Sequence, residues 1–435
     1  MAASDPILSE RVLVFTVVPV AGGPTGALEK LVDYISGAGV HASLSSLDAG
    51  DDEPAAGRTT SAAEMSGDYL FRAHSKADSH RLEELLRQDP RVRDVYRPPA
   101  YRAHRADRAT AMAPRAIAPP WSPTIAQKFA EAAAVTQWGF ERCGFSKVQR
   151  NLDLRGEFPP VVMIDNGNHL RHPQLAGVVT KNVLPGPPHQ ASIADHSSSV
   201  AAIIGARDVK GAGSGAMQGC CPGQIEMFNA WTTSDGLDQH VLYRGLIHAI
   251  KHRRPVVNMS IWLDDDRLDT KVASLLEQCE QNNVVVVAAI GNAGTNAVTF
   301  FPANHSTVIA VAATDPGDQR QVNSSVGRHA FIGAPGENIY TVVGDSDYDR
   351  MTGTSFAAPF VTAAVWLARR RRPDLIPVQV RWLIAHSVAN PGVPRNPELG
   401  FGRLDMPQLV KYIDQVPPAE ECTRFLEESL GVAAV

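Results

Sequence analysis

The chain begins with short apolar runs divided by polar turns. Val12, Leu13, Val14, Phe15, Val17 and Val18 form a β-branched and aromatic run closed by Pro19 and a glycine pair, the composition of a strand. Leu28, Leu31, Val32 and Ile35 then recur at the i, i+3, i+4, i+7 spacing of one helix face, and Gly37 and Gly39 stop it. Residues 40–47 suit a second strand and 69–73 a third. Leu82, Leu85 and Leu86 suit a second helix, and 92–96 a fourth strand after Pro90. This β-α-β-β-α-β order predicts a small α+β split βαβ (ferredoxin-like) domain over residues 11–101. Residues 48–67, acidic, small and glycine-bearing, are expected to be a loop.

Residues 102–123 break the pattern with Pro114, Pro119, Pro120 and Pro123 among alanines and arginines, and are expected to be a linker. From 124 to 415, short apolar strands (Val161–Ile164, Val256–Met259, Val284–Ala289, Val308–Ala312) alternate with helical stretches. That alternation predicts an α/β fold, a mainly parallel sheet covered by helices on both faces. Residues 416–435 are expected to be a short acidic tail with room for one helix.

Composition narrows the function without naming it. With 435 residues the chain is long enough for two domains, and 44% hydrophobic and 20% charged residues are globular values. A formal net charge of −5 gives no pull towards nucleic acid or an anionic membrane, so neither is expected as a partner. The one basic cluster, Arg369 to Arg372, is expected at the wet C-terminal end of a helix. Residues 1–11 include Asp5 and Glu10 and do not resemble a secretory signal, and no window has the apolar length of a membrane span. The five cysteines, Cys143, Cys220, Cys221, Cys279 and Cys422, are odd in number and sparse. Free thiols in a reducing, cytoplasmic compartment are expected, with a non-standard export route left open.

Four segments carry candidate chemistry, and each also has an ordinary explanation. Ser355, in Gly353-Thr354-Ser355-Phe356-Ala357-Ala358-Pro359, is either a helix cap or a nucleophile at a helix start. Ala357 stands where the second glycine of a GxSxG elbow belongs, which excludes that motif. Asp165 ends the apolar run 161–164 before Asn166-Gly167, as a turn former or as the acid that orients a base. His196 precedes the apolar stretch 200–204, as a surface residue or as that base. Asn292 lies in a Gly-Asn-Ala-Gly turn after a strand, either a plain turn or an amide donor to an oxyanion.

Taken together, in the order Asp, His, Asn, Ser within one α/β block, these segments resemble the subtilisin-like serine protease (subtilase) family over residues 125–410. The acid motif matches Asp165-Asn166-Gly167, followed by His172-Pro173-Gln174-Leu175. His196 with Val200-Ala201 matches the base motif, Asn292 the oxyanion motif, and Gly353-Thr354-Ser355 with Ala357-Ala358-Pro359 the nucleophile motif. Asn258-Met259-Ser260, Phe301-Pro302-Ala303 and Gly333-Ala334-Pro335-Gly336 keep the register. The resemblance implies a serine endopeptidase acting on a peptide or protein, with Asp165, His196 and Ser355 as triad and Asn292 as oxyanion donor. It implies substrate contacts at Ser260, Ile261, Trp262, Ala289, Gly291 and Phe301. It also implies that the N-terminal domain is an inhibitory propeptide, with residues 98–104 in the cleft.

Three departures qualify that expectation. The family's His-Gly-Thr-His-Val-Ala-Gly reads His196-Ser197-Ser198-Ser199-Val200-Ala201-Ala202, so a serine replaces the second histidine and Ala202 adds a methyl. Trp262-Leu263 stands where the family has two glycines, and Phe300 and Phe301 lie where the primary pocket's wall is expected. A narrowed cleft with selective use is therefore expected. Calcium is common in the family, but residues 207–219 offer only Asp208 as a charged oxygen ligand, and the Asp264-Asp265-Asp266 run suits a solvated loop. No cofactor and no strong calcium site on that loop are expected. The alternatives are a catalytically inert peptide-binding protein of the same fold, or a leader-processing or transpeptidating enzyme.

Overall fold

The structure is a computed structural model that describes residues 12–17, 24–40, 42–46, 68–73, 75–96, 101–103, 137–148, 157–167, 170–184, 196–207, 217–230, 238–263, 270–294, 300–392 and 394–430. The expected loop at 48–67 and almost all of the expected linker lie outside them.

At the N-terminal end, strands β1 (Val12–Val17), β2 (Ala42–Ser46), β3 (Asp68–Ala73) and β4 (Val92–Tyr96) form an antiparallel sheet in the order β2-β3-β1-β4. Helices α1 (Pro24–Gly37) and α2 (Lys76–Gln88) lie between them in sequence. Their apolar positions meet in one core of Leu13, Phe15, Leu31, Ile35, Phe71, Leu82 and Leu86. Phe15 stacks on Phe71 with centroids 4.9 Å apart. Ser75 caps α2, accepting from the Asp78 N–H at 3.0 Å. One further strand, β5 (Tyr101–Ala103), follows at the start of the stretch expected as linker.

The larger unit begins with short helices α3 (Trp138–Cys143) and α4 (Phe145–Val148). It is built on a seven-stranded parallel sheet of β6 (Val161–Asp165), β7 (Val179–Val183), β8 (Ile225–Asn229), β9 (Val256–Met259), β11 (Val285–Ala289), β12 (Val308–Thr314) and β13 (Ile332–Pro335). The order is β13-β12-β11-β9-β6-β8-β7. Every residue of β6, β8, β9, β11 and β12 is buried. Such runs form where both faces of a parallel sheet are covered. Helix α5 (His196–Gly205) packs with α8 (Thr354–Arg371), and α6 (Gln239–Lys251) with α7 (Thr270–Gln281). Strand β10 (Ile261–Leu263) leaves the sheet after β9, and β14 (Ile339–Val343) and β15 (Asp347–Met351) form a hairpin.

Helix α8 is buried from Thr354 to Arg369. Being apolar almost all round, it takes an interior position. Of the four arginines expected at a wet helix end, Arg369 is instead buried, while Arg371 pairs with Asp414 and Arg372 with Asp374. Helices α9 (Pro377–His386), α10 (Met406–Tyr412) and α11 (Ala419–Leu430) complete the unit. The α11 stretch, expected as a tail, packs on α9 and buries Cys422 and Leu426. All five cysteines are free and buried, and burial pushes the Cys143 and Cys221 thiols up to about 12. No described helix is long and apolar enough to cross a membrane.

One buried charge cluster ties β8 to α6. Glu226 accepts from His248 Nε2 (2.8 Å) and, through both carboxylate oxygens, from Arg254 (2.7 Å each). Burial alone would raise this carboxyl, but the bonds from His248 and Arg254 outweigh it and hold it down at about 2, against an ordinary 4.5. A carboxyl depressed in the folded state adds stability above its unfolded value, and that stability is lost as pH falls towards the folded one. Melting temperature should therefore fall between about pH 4.5 and 2 partly through Glu226. The variant Glu226→Gln should start lower at neutral pH and show a shallower decline across that window, read by calorimetry.

Candidate active site

The site is assembled at the carboxyl ends of β6, β9 and β11, where parallel sheets leave room for ligands. Asp165 is the last residue of β6, fully buried and paired in register with Asn229 of β8. The turn that follows is pinned from two sides: Gly167 O accepts from Ser197 Oγ (2.8 Å) and from Asn229 Nδ2, and Asn166 O accepts from the Ser197 N–H (2.9 Å). These bonds hold the first turn of α5 against the end of β6. His196, the first residue of α5, consequently donates from Nδ1 to Asp165 Oδ1, which also accepts from the Asn166 N–H (2.5 Å). With the proton on Nδ1, Nε2 carries the lone pair. Nε2 is buried and has no hydrogen-bond partner among the described residues.

Ser355 stands at the other side of the α5–α8 contact. The cap of α8 is Gly353 rather than Ser355, which is the second helical residue. Ser355 Oγ is buried and, like His196 Nε2, unpartnered among the described residues. The His196 ring lies 5.5 Å from the ring of Phe356, the residue after Ser355. A hydroxyl and an imidazole nitrogen are thus both left unpaired at one helix contact, and such geometry tightens when a substrate enters. Pro359, four residues on, has no N–H to bond the Ser355 carbonyl within the helix. Ser260 Oγ approaches that carbonyl at 3.5 Å, and is itself held by Asn258 (3.3 Å), which Thr362 anchors (2.8 Å).

Asn292 follows β11. Its Oδ1 accepts from Thr354 N and from Thr354 Oγ1, both at 3.0 Å. Thr354 Oγ1 also accepts from the Gly291 N–H at 3.2 Å. Gly353 has φ +147°, and a Cβ there would lie 3.1 Å from Asn292 Nδ2, so only glycine leaves this amide its place. Asn292 Nδ2 and the Ser355 N–H at the start of α8 are donors of the kind that stabilise an oxyanion, the Thr354 N–H being engaged by Asn292 Oδ1 and the Phe356 N–H by the Gly353 carbonyl.

The histidine motif's departures are absorbed locally. Ser199 Oγ donates to Val342 O and Thr341 Oγ1 donates to Ser199 O, both at 2.7 Å, tying α5 to β14. Ala202 is fully buried in α5. Of the expected substrate-contact residues, the Ser260 and Ala289 side chains are buried, Ser260 against the Ser355 backbone. Ile261 is buried too, and Phe301 turns into the core at 4% exposure. Phe300, one residue earlier, is the ring that lies on Gly291. The side chain of Trp262 lies outside the described part, but its backbone does not: β10 pairs antiparallel with β5, with Ile261 opposite Ala103, Trp262 opposite Arg102 and Leu263 opposite Tyr101.

Residues 208–216 and 264–269, with the carboxylates considered for calcium, lie outside the described residues. At the foot of the first loop, Gln174 Nε2 donates to Arg207 O (3.1 Å) and Met217 O (2.7 Å), and Tyr348 OH donates to Gln174 Oε1 (2.6 Å).

Sequence reasoning named Ser197 and Thr354 only as motif neighbours of His196 and Ser355, and missed Asn229 and Thr362, whose one sequence signal is polarity within otherwise apolar segments.

An acid at a strand end, a histidine and a serine at two helix starts, in the chain order Asp, His, Ser over a parallel sheet, is the layout of subtilisin-type serine hydrolases. The chain belongs to the subtilase family, which residues 160–402 match, more than half of its 435 residues. It is 27% identical to subtilisin DY of Bacillus licheniformis over 263 residues, 60% of this chain and 94% of that protein. To subtilisin Savinase of Lederbergia lenta it is 28% identical, covering 55% of this chain and 87% of that one. Against the minor extracellular protease Epr of Bacillus subtilis (strain 168) the identity is 31%, over 48% of this chain but only 32% of the relative. The solved structure of the prenylagaramide maturation protease PagA superposes with a TM-score of 0.52 at 24% identity, covering 62% of this chain and 98% of that one, a likeness of fold. Family membership supports serine endopeptidase chemistry on peptide or protein substrates at the level of the family.

The Thr354 hydroxyl bridges Asn292 and Gly291, so losing it should loosen the Asn292 amide expected to act as oxyanion donor. Thr354→Val is expected to lower kcat by roughly 2- to 10-fold, the worth of one ordinary hydrogen bond, with KM little changed. Thr354→Ser should recover most of it.

Proposed function

We propose that this chain is a serine endopeptidase in which Ser355 attacks the scissile carbonyl, His196 is the general base and Asp165 orients it. The observation that carries the reading is the pair of buried groups, Ser355 Oγ and His196 Nε2, that have no partner among the described residues, beside the Asp165–His196 bond. His196 Nε2 takes the Ser355 proton as the oxygen bonds to the carbonyl carbon. The carbonyl oxygen, now negative, is held by Asn292 Nδ2 and the Ser355 N–H; losing one such donor costs roughly 100- to 1,000-fold in turnover. His196 then passes its proton to the leaving amine as the C–N bond breaks. Water, deprotonated by the same imidazole, hydrolyses the acyl-enzyme and restores Ser355. Asp165 stays ionised throughout, fixing the tautomer and stabilising the imidazolium.

The cleft is selective rather than degradative, and the N-terminal domain regulates it. An extended chain binds a free strand edge through its backbone, and the edge of β10, next to Ser260, is the one a substrate would use. The pairing of β5 with that edge supports a self-inhibited state in which residues leaving the N-terminal domain cover the acyl side of the site. Residues 11–101 then act as an inhibitory propeptide, 102–123 as the connection to be cut, and 124–415 as the catalytic unit. The buried thiols suit a reducing, cytoplasmic setting. The Gln174 amide supports a histidine-side loop held without calcium.

Purified wild-type protein is expected to shorten within residues 98–123, while Ser355→Ala stays at full length with an unchanged melting curve, as read by intact mass and calorimetry. Equal shortening of both proteins would overturn catalysis by Ser355. Full-length wild type that still cuts added peptides would overturn the propeptide reading alone.

A further inference from the structure

Asp165, Asn292 and the start of α8 lie at the carboxyl ends of the parallel strands. At the opposite end of the sheet, where β12 and β13 begin, a cavity of about 130 Å³ lies between those strand starts, α9 and α11. One wall is apolar: Val308 of β12, Phe331 just before β13 and Leu426 of α11 are buried, and Val378 of α9 adds to them. A dry cavity of roughly 150 Å³ takes up benzene, so this one has room for about one ring or one branched side chain.

The polar lining carries more cation than it can match. Arg381 is committed to Glu280 through both arms of its guanidinium (2.5 and 2.9 Å) and to the Thr307 carbonyl (3.2 Å). That pair cancels, and Glu427, the other acid in the lining, is itself engaged. Arg328 differs. It is exposed, its Nε donates to His329 Nε2 at 3.1 Å, and it has no ion pair among the described residues. Arg395 packs behind it, donating to the Arg328 and Ala330 carbonyls; it too lacks a carboxylate among the described residues, and its Nε is buried without a partner there. Burial and these two cations hold the His329 pKa below its usual value, so the ring adds no charge of its own at neutral pH. The Thr307 N–H donates to His305 Nδ1 (3.4 Å), which leaves the His305 proton on Nε2 as a further donor. The complement to this lining is an anion with an apolar body.

We propose that this cavity is a second ligand site for a monocarboxylate with a compact apolar body, the carboxylate on Arg328 and the body against Val308, Phe331 and Leu426. A small free acid and the last residue of a peptide share that chemistry. The site stands whether or not Ser355 is a nucleophile. Its ligand bridges α11 to the strand starts, so binding stabilises the folded chain by mass action.

The test is titration calorimetry on the full-length Ser355→Ala chain, so that no peptide is cut. The probes are 4-methylpentanoate, its amide, and acetyl-Ala-Ala-Leu with a free or an amidated end. The acid should bind with a Kd of roughly 0.1 to 1 mM and raise the melting temperature. The amide should bind at least about 10-fold more weakly, and Arg328→Gln should weaken the acid by the same factor. Val378→Phe, which fills the apolar end, should weaken it too. If the free-ended peptide also binds, with the same dependence on Arg328, the ligand is a peptide terminus; if only the acid binds, it is a small free acid. The inference is overturned if the acid does not bind at about 10 mM, if acid and amide bind alike, or if both folded variants bind the acid as the parent does. A parent dimer, seen by light scattering and split by Arg328→Gln, would overturn it as well, by giving this face to a second copy. The comparison of acid with amide decides the point even if Val378→Phe fails to fold.

Discussion

A buried carboxylate facing an imidazole across the β6–α5 junction sets the terms for the rest of the molecule. Asp165 is completely removed from water, and an isolated buried carboxylate would be strongly unfavourable. It is tolerable because the Asn166 N–H and His196 Nδ1 both donate to it, which requires the start of α5 to sit against the end of β6. Ser197, Asn166, Gly167 and Asn229 supply that docking, and Ser199 fastens the same helix to β14 one turn later. The placement of His196 thus follows from the bonds around one turn, in which Asp165 Oδ2, Asn166 Oδ1 and Asn229 Oδ1 are left without a hydrogen-bond partner among the described residues.

The Ser355 side is built by the same logic with different means. Helix α8 has to begin at a glycine so that Asn292 can come close, and Thr354 then locks Asn292 and Gly291 to the helix start. Pro359 leaves the Ser355 carbonyl out of the helical ladder, and a chain of side chains from Thr362 through Asn258 to Ser260 meets it from β9. One helix start therefore carries the hydroxyl, the N–H donor and the support for the amide. A small error in seating α8 would misplace all three together.

Much of this was legible in the chain. The core strands of the parallel sheet stand out because residues buried on both faces make unbroken apolar runs, and β9 has the bounds that the pattern predicts. The family resemblance rests on short motifs, and the match over residues 160–402 agrees with it. What was not legible depends on contacts between distant segments. Nothing in Thr354 or Asn229 alone reveals which turn each will bond. The β5 strand pairs with β10, a segment far along the chain. Arg369 reads as solvated and is buried, because α8 runs through the interior for nearly its whole length. Phe300 and Phe301 are the same residue type side by side, and only the backbone decides that Phe301 fills the core while Phe300 lies on Gly291.

The most direct measurement is the site and rate of labelling by a fluorophosphonate in wild type, His196→Ala and Ser355→Ala, read by peptide mass spectrometry. The account requires a single adduct on Ser355 in wild type, labelling slowed by roughly 1,000-fold or more in His196→Ala, and none in Ser355→Ala. An unlabelled wild type, or one whose labelling is indifferent to His196, would contradict it.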